Sequence, residues 1–211
     1  MDILLKFLDL ILHIDRYLDL VISYSGIWFY LILFIIIFCE TGLVITPFFP
    51  GDSLLFACGA FSARGVINPY ISASVILTAA VIGDAFNYHI GKFLGEKAVK
   101  KYPFIFKKEY IDRTHSFYEK YGGKTIIIAR FIPIVRTFAP FLAGIGDMGY
   151  MRFMIYNLTG ALIWVVFLLC AGYFFGNLDF VRRNFSYVII AIIIISILPT
   201  VLEYITNRAR T

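Results

Sequence analysis

The sequence predicts an all-α integral membrane protein: four spanning helices, two inverted re-entrant helical hairpins and an N-terminal interfacial amphipathic helix. Three observations carry that expectation. Of 211 residues, 60% are hydrophobic and 16% charged, well below the roughly 25% charged residues of a soluble domain. Uncharged runs at 20–39, 65–83, 153–178 and 184–202 each come close to the ~20 residues that cross a hydrocarbon core. Two further apolar stretches are broken by prolines and by charges. Too little chain is left for a soluble catalytic domain or a nucleotide-binding sheet, so residues 1–211 read as a single membrane domain.

Residues 2–20 place Asp2, Lys6, Asp9, His13 and Arg16 at spacings of four and three, opposite Leu4, Leu5, Leu8, Ile11 and Leu12. That stripe predicts a helix lying in the membrane interface, with His13 solvated. Asp9, Asp15 and Asp19 interrupt the apolar N-terminus and no small-residue cleavage site follows, so the segment is expected to be retained rather than removed as a signal peptide. The first span, a hairpin at 41–63 and the second span fill 21–95, and a basic cytoplasmic loop follows at 96–123. Residues 124–178 hold a second hairpin at 124–146 and the third span, and the fourth span is 184–206.

The hairpins follow from length. The first is apolar on both sides of Asp52 and the second around Arg130 and Arg136, with breaks marked by Pro47, Pro50 and Gly51, then by Pro133 and Pro140. An eleven-residue helical arm reaches ~16 Å, about half of the ~30 Å core, so two arms enter and leave on one side. Proline withholds a backbone donor, and the freed groups must face protein or water rather than lipid. A weak internal repeat accompanies the hairpins: Gly91-Lys92-Phe93-Leu94-Gly95 and Gly172-Tyr173-Phe174-Phe175-Gly176 are 81 residues apart, and Pro47 and Pro133 are 86 apart. The first hairpin follows an outward span and the second follows the basic loop, which makes the copies inverted. Secondary transporters build midplane sites from broken helices in that arrangement.

Charge sets the orientation. Nine of the 19 Lys and Arg residues crowd into 92–124 beside the four acids Glu96, Glu109, Asp112 and Glu119, so this segment accounts for the net charge of +5. Between hydrophobic spans, such a cluster reads as a positive-inside loop touching anionic lipid, not as a nucleic-acid surface. Both termini are then cytoplasmic, with Arg64, Arg182 and Arg183 outside.

Glu40, Asp52, Asp84, Arg130 and Arg136 fall inside apolar segments, where a lone charge near the bilayer centre costs about 2.5–3.5 kcal/mol. They are expected to pair, Glu40 and Asp52 of the first copy against Arg130 and Arg136 of the second. Two readings stand side by side. The charges could lock the hairpins together as salt bridges. Alternatively the arginines bind an anionic phosphate headgroup, because a guanidinium stays charged and forks onto phosphate oxygens, while the acids carry protons. Asp84 and Tyr88 lie one helical turn apart with Asn87 between them, and they either extend a polar path or pack a helix crossing. Gly83, Gly91, Gly95, Gly172 and Gly176 suit close helix approach. Trp28, Trp164, Tyr150 and Tyr173 read as interfacial belt anchors. Cys39, Cys58 and Cys170 lack C-x-x-C spacing, so neither disulfides nor zinc are expected. No cofactor is implied, no catalytic motif is present and an enzyme is not expected. A homo-oligomer is left open.

Several motifs together, Phe38-Cys39-Glu40-Thr41-Gly42, Pro50-Gly51-Asp52-Ser53-Leu54-Leu55, Gly83-Asp84 with Asn87-Tyr88, Tyr121-Gly122-Gly123-Lys124 and Ala129-Arg130-Phe131-Ile132-Pro133-Ile134-Val135-Arg136-Thr137-Phe138-Ala139-Pro140, resemble the bacterial DedA family of the wider VTT-domain (SNARE-associated Golgi protein) superfamily. The likeness covers nearly the whole chain. It implies an inner-membrane protein with two facing re-entrant hairpins, a lipid transporter or scramblase linked to undecaprenyl phosphate recycling or phosphatidylethanolamine flipping and dependent on the proton motive force. By the same resemblance Glu40 and Asp52 match the family's essential acids, and Arg130 and Arg136 its essential arginines. The expected partners are therefore a polyprenyl phosphate or phospholipid substrate and protons. A proton-coupled antiporter for small ions or drugs and a non-transporting scaffold are the other readings.

Overall fold

The computed structural model describes residues 14–43, 51–101, 115–116, 118–146, 148–176, 178 and 181, with side chains from Gly26 onward except at 94–101, 133 and 134. The start of the predicted amphipathic helix, Pro47 and Pro50, residues 102–114 of the basic loop and the fourth span at 184–206 lie outside the described residues. All regular structure among the described residues is helical, with no strand: α1 (Ile14–Gly42), α2 (Gly51–Ala63), α3 (Pro69–Lys101), a 3₁₀ turn (Gly122–Lys124), α4 (Thr125–Ala129), α5 (Pro133–Ile145) and α6 (Tyr150–Gly176).

Two of these helices are long and apolar enough to cross a membrane, Pro69–Phe93 within α3 and Tyr150–Gly176. Their burial follows the helical period. On α6 the inward side chains include Phe153, Asn157, Ala161, Trp164 and Val165, while Ile155, Leu158, Leu162, Ile163, Val166 and Phe167 are exposed. So much exposed apolar surface on a helix suits lipid, not water.

Boundaries differ from the sequence expectations where local chemistry intervenes. In α1, Gly26 has φ 30° and ψ −96°, a left-handed conformation open to glycine. The apolar stretch after it, Gly26–Gly42, carries Glu40 in its last turn, and Thr41 and Gly42 complete the helix instead of opening a hairpin. Gly65, at φ 73°, turns the chain before α3. Asn68 caps that helix by accepting hydrogen bonds from the Tyr70 and Ile71 amides at 2.9 and 3.2 Å, a favoured N-cap role. α3 then runs to Lys101, so the first six residues assigned to the loop, 96–101, are helical. Within 124–146, expected to form a hairpin broken at Pro133 and Pro140, the break falls at Arg130–Ile132, and Pro140 lies inside α5 instead of marking a break. Ile132 is extended at φ −121° and ψ 108° and Pro133 opens α5, as the residue before proline and the first helical turn prefer.

The chain forms two compact units, one made of 1–33, 50–75 and 166–211, the other of 34–49 and 76–165. In the first, α2 crosses the C-terminal half of α6 at backbone distance. A Cβ on Gly172 would strike the Phe56 carbonyl, and one on Gly59 would strike the Leu169 carbonyl and approach the Tyr173 nitrogen to 2.9 Å. In the second, α5 crosses α3 the same way: Gly91 meets the Phe141 carbonyl, and Gly144 meets the Tyr88 carbonyl and the Lys92 nitrogen. Phe56 and Phe141, like Gly59 and Gly144, are 85 residues apart; Leu169 and Tyr88, like Gly172 and Gly91, are 81 apart. The repeat is therefore present as one contact register used twice, and it aligns the hairpin arms at 85 residues where the prolines suggested 86. Each α3 or α6 segment packs against the hairpin arm of the other copy.

Candidate functional site

The second unit gathers four of the five intramembrane charges. Arg130 stands where α4 ends, 6% exposed, and its Nη2 donates to Asp84 on α3 and to Asn157 on α6, the latter at 2.5 Å. Gly160 makes room for this side chain, since a Cβ there would come within 3.2 Å of the arginine Cδ and Nε. Arg136, one turn into α5, donates from Nη2 to Glu40 Oε1 at 2.6 Å. Glu40 is 3% exposed. Both guanidinium groups sit over the Trp164 ring, Arg136 with Cζ 5.0 Å and Arg130 6.0 Å from its centroid, within cation–π range.

The acid on Arg130 is thus Asp84, which the expected pairing of Glu40 and Asp52 with the two arginines did not include. Asp84 lies on the inward face of α3 two residues after the membrane-facing Ile82, so the helical period delivers it to the guanidinium. Asp52 belongs to the first turn of α2 in the other unit and is half-buried, where the helix dipole favours an acid. Glu40 does pair with one of the two arginines, Arg136. Trp164 is not a belt anchor: it is 2% exposed beneath two cations, whereas Trp28, 62% exposed, fits that description.

The three polar residues of α3 divide their work. Asp84 holds Arg130. Asn87 Nδ2 donates to the carbonyls of Thr41, at 3.4 Å, and of Thr137, at 2.8 Å. The first is in the last turn of α1, where helical carbonyls lack partners, and the second is in α5, next to the Arg136 carbonyl that Pro140 leaves without its donor, so Asn87 ties the end of α1 to the turn before that proline. Tyr88 packs with Phe153, centroids 4.6 Å apart, and its hydroxyl donates to the Met148 carbonyl. Asn87 and Tyr88 therefore secure the crossing, and Asp84 belongs to the charged cluster. Gly83 faces Gly42 and Thr41, whose hydroxyl donates to the Ile37 carbonyl at 2.9 Å. Tyr118, before the second hairpin, donates to the Ala139 carbonyl at 2.8 Å. Burial, reinforced by the Asp84 charge, pushes its phenol above the usual range and keeps it a donor.

Sequence reasoning missed Asn157, Thr137 and Gly160. A signal existed for Asn157, a mid-span amide in an uncharged run, four residues from Phe153 and seven from Trp164 on one helical face.

A model of the VTT domain matches residues 49–174, a range that includes Asp84, Arg130, Arg136, Asn157 and Trp164 and leaves Glu40 just ahead of it. The chain is 51% identical over 211 residues to Protein DedA of Escherichia coli K12, covering 99% of this chain and 96% of that protein. The chain belongs to the DedA family. It is also 42% identical over 172 residues to the uncharacterized membrane protein Rv0364 of Mycobacterium tuberculosis, covering 80% of this chain and 75% of that one. With the inner membrane protein YqjA of E. coli K12 it shares 34% identity over 149 residues, 70% of this chain and 68% of that one. No solved structure matches. A DedA-family chain with two long apolar helices, whose relatives are named membrane and inner membrane proteins, is a bacterial membrane protein.

Proposed function

We propose that this DedA-family protein is a secondary transporter of the bacterial inner membrane that carries a lipid phosphate headgroup between leaflets, with undecaprenyl phosphate as its cargo in recycling. Arg130 and Arg136 hold the phosphate, and Glu40 and Asp52 couple transport to protons. The carrying observation is the pair of arginines over one buried indole, on either side of the break that precedes Pro133. Guanidinium groups give planar, bidentate phosphate recognition, and α5 begins beside them with an uncapped N-terminus, which favours anions. Four spans, two inverted re-entrant hairpins and cytoplasmic termini complete this reading, which assigns the chain transport rather than catalysis.

Reconstituting the full chain in liposomes with labelled undecaprenyl phosphate on one leaflet tests it. Wild type should move the label, and Arg136→Lys, which keeps the charge but loses the fork, should remain folded and inserted yet lose transport. Full activity of Arg136→Lys would overturn bidentate recognition. Equal movement of labelled phosphatidylethanolamine would replace the cargo with a phospholipid. Accessibility labelling should find Lys101 inside and Arg64 outside; the reverse would overturn the topology.

A further inference from the structure

Arg130 receives two kinds of support. Its Nη2 carries two hydrogens and both are engaged, one by the Asp84 carboxylate on α3 and one by the Asn157 amide oxygen on α6, the latter at 2.5 Å. The fully buried Asn157 is itself tied down, because its Nδ2 donates to the Val81 carbonyl of α3 at 3.1 Å. That second bond fixes which way round the amide lies. Flipped, it would aim N–H groups at a cation and an oxygen at a carbonyl. On the same face of α6, Gly160 leaves room for the arginine stem and Trp164 lies beneath the guanidinium. Helix α6 therefore seats Arg130 on an amide, a gap and an indole, none of them charged, and the ion pair comes from Asp84 on α3.

We propose that Asn157 is a positioning residue that also selects headgroups by charge: it fixes the plane of the Arg130 guanidinium for a phosphate without bringing a second carboxylate to it. This rests on the phosphate reading above and names what keeps that site open to a net-anionic headgroup. Positioning follows from the two acceptors, which lie on different helices and hold the guanidinium at one nitrogen from two directions. With Asn157 removed, one hydrogen of Nη2 is released and the plane can swing about the bond to Asp84. Charge selection follows from the sum. The acids Asp84 and Glu40 oppose Arg130 and Arg136, so these four charges cancel and a monoanionic phosphodiester enters a site without net charge. An aspartate in place of Asn157 would still accept from Arg130, but it would set a carboxylate against the Val81 carbonyl and make the sum negative. In a buried site that repulsion is poorly screened and falls on the headgroup. A zwitterion feels less of it, because its ammonium is attracted where its phosphate is repelled.

The test is equilibrium binding to the full-length protein in detergent at neutral pH, comparing wild type, Asn157→Leu and Asn157→Asp. The probes are short-chain phosphatidylglycerol, a monoanion, and short-chain phosphatidylethanolamine, a zwitterion. Asn157→Leu keeps the bulk and loses both hydrogen bonds, so it should weaken both probes alike, by about tenfold, the size of one hydrogen bond to a charged group. Asn157→Asp keeps the acceptor and adds a charge, so it should weaken phosphatidylglycerol about tenfold more than phosphatidylethanolamine. A residue that only packs would not separate the two probes in either variant. Wild-type affinity in Asn157→Leu would overturn the positioning, and equal losses of both probes in Asn157→Asp would overturn the charge selection. Failure of either variant to fold, read by size exclusion and thermal unfolding, would make Asn157 a structural residue and overturn both. Each of these results leaves phosphate recognition in place. Absence of binding to wild type by either probe, or phosphatidylglycerol binding that Arg136→Ala leaves unchanged, would overturn the phosphate reading and the role of Asn157 with it.

Discussion

The two helix crossings solve one packing problem with different chemistry. At each, a glycine on a long helix lies against the carbonyl of a hairpin-arm phenylalanine, Gly172 on Phe56 and Gly91 on Phe141, and a hairpin glycine answers it. Around the first, α2 buries Ser53, Leu55, Cys58, Ala60 and Ser62, all uncharged. The second unit buries Asp84, Arg130 and Glu40 as well. At both crossings these glycine contacts are to backbone atoms and involve no charged side chain, so the register itself does not require the ion pairs of the second unit. That counts against reading the charges as fasteners alone, because a buried pair is weak support for a fold compared with well-packed apolar residues.

The largest effect should come from breaking the Arg130–Asp84 pair. Asp84→Asn strands a buried guanidinium, and losing one partner of such a pair costs about 3–5 kcal/mol. The double variant Asp84→Leu with Arg130→Met replaces that pair by apolar side chains and should regain most of that stability while remaining inactive. Thermal unfolding in detergent, read beside transport in liposomes, checks both. A double variant as unstable as the single one would restore the fastener reading.

Next come the glycines. Gly91→Ala and Gly172→Ala each push a methyl group into a carbonyl oxygen, an overpacking worth about 1–3 kcal/mol. If the two crossings are equivalent, the losses should agree to within about 0.5 kcal/mol, the usual tolerance for independent sites. A large inequality would show that the shared register does not carry equal weight in the two units.

How much was legible in the sequence depends on the kind of signal. Composition and uncharged run length exposed the long apolar helices α3 and α6, because crossing a membrane imposes a length. Of the two prolines expected to mark breaks in 124–146, Pro133 does stand at one, while Pro140 is accommodated inside α5. The partner of Arg130 was not legible: symmetry between copies offered Glu40 and Asp52, and only the helical phase of α3 against α5 and α6 delivers Asp84 and Asn157 to it. Trp164 was misread because an indole in a span has two common uses, interfacial anchoring and cation–π contact, and sequence carries no burial. Gly26 broke α1 inside an uncharged run through backbone conformation, which hydropathy does not register.

A smaller effect is expected at that indole. Trp164→Phe keeps an aromatic face beneath both guanidinium groups, and weakening the cation–π contact should cost about 0.5–2 kcal/mol. Transport should fall but persist with Phe, and be lost with Leu, which fills space without a π face. Equal activity of the Phe and Leu variants would reduce Trp164 to packing.

The smallest effect on stability should come from Asp52. It lies in the first turn of α2, half-buried, where an acid near a helix N-terminus contributes about 0.3–1 kcal/mol, so Asp52→Asn should unfold nearly as wild type does. Its effect on function should be different in kind. If Asp52 binds and releases a proton during the cycle, the isosteric amide keeps the shape and the hydrogen-bonding oxygen yet cannot titrate. Asp52→Asn should therefore still bind lipid while its transport stops responding to an imposed pH gradient. Wild-type and variant liposomes compared with and without the gradient decide the matter. A variant that keeps the wild-type response would confine proton coupling to the second unit and to Glu40. If wild type itself moved lipid equally under both conditions, passive scrambling would replace coupled transport, and the uneven distribution of charge between the crossings would serve headgroup selection alone.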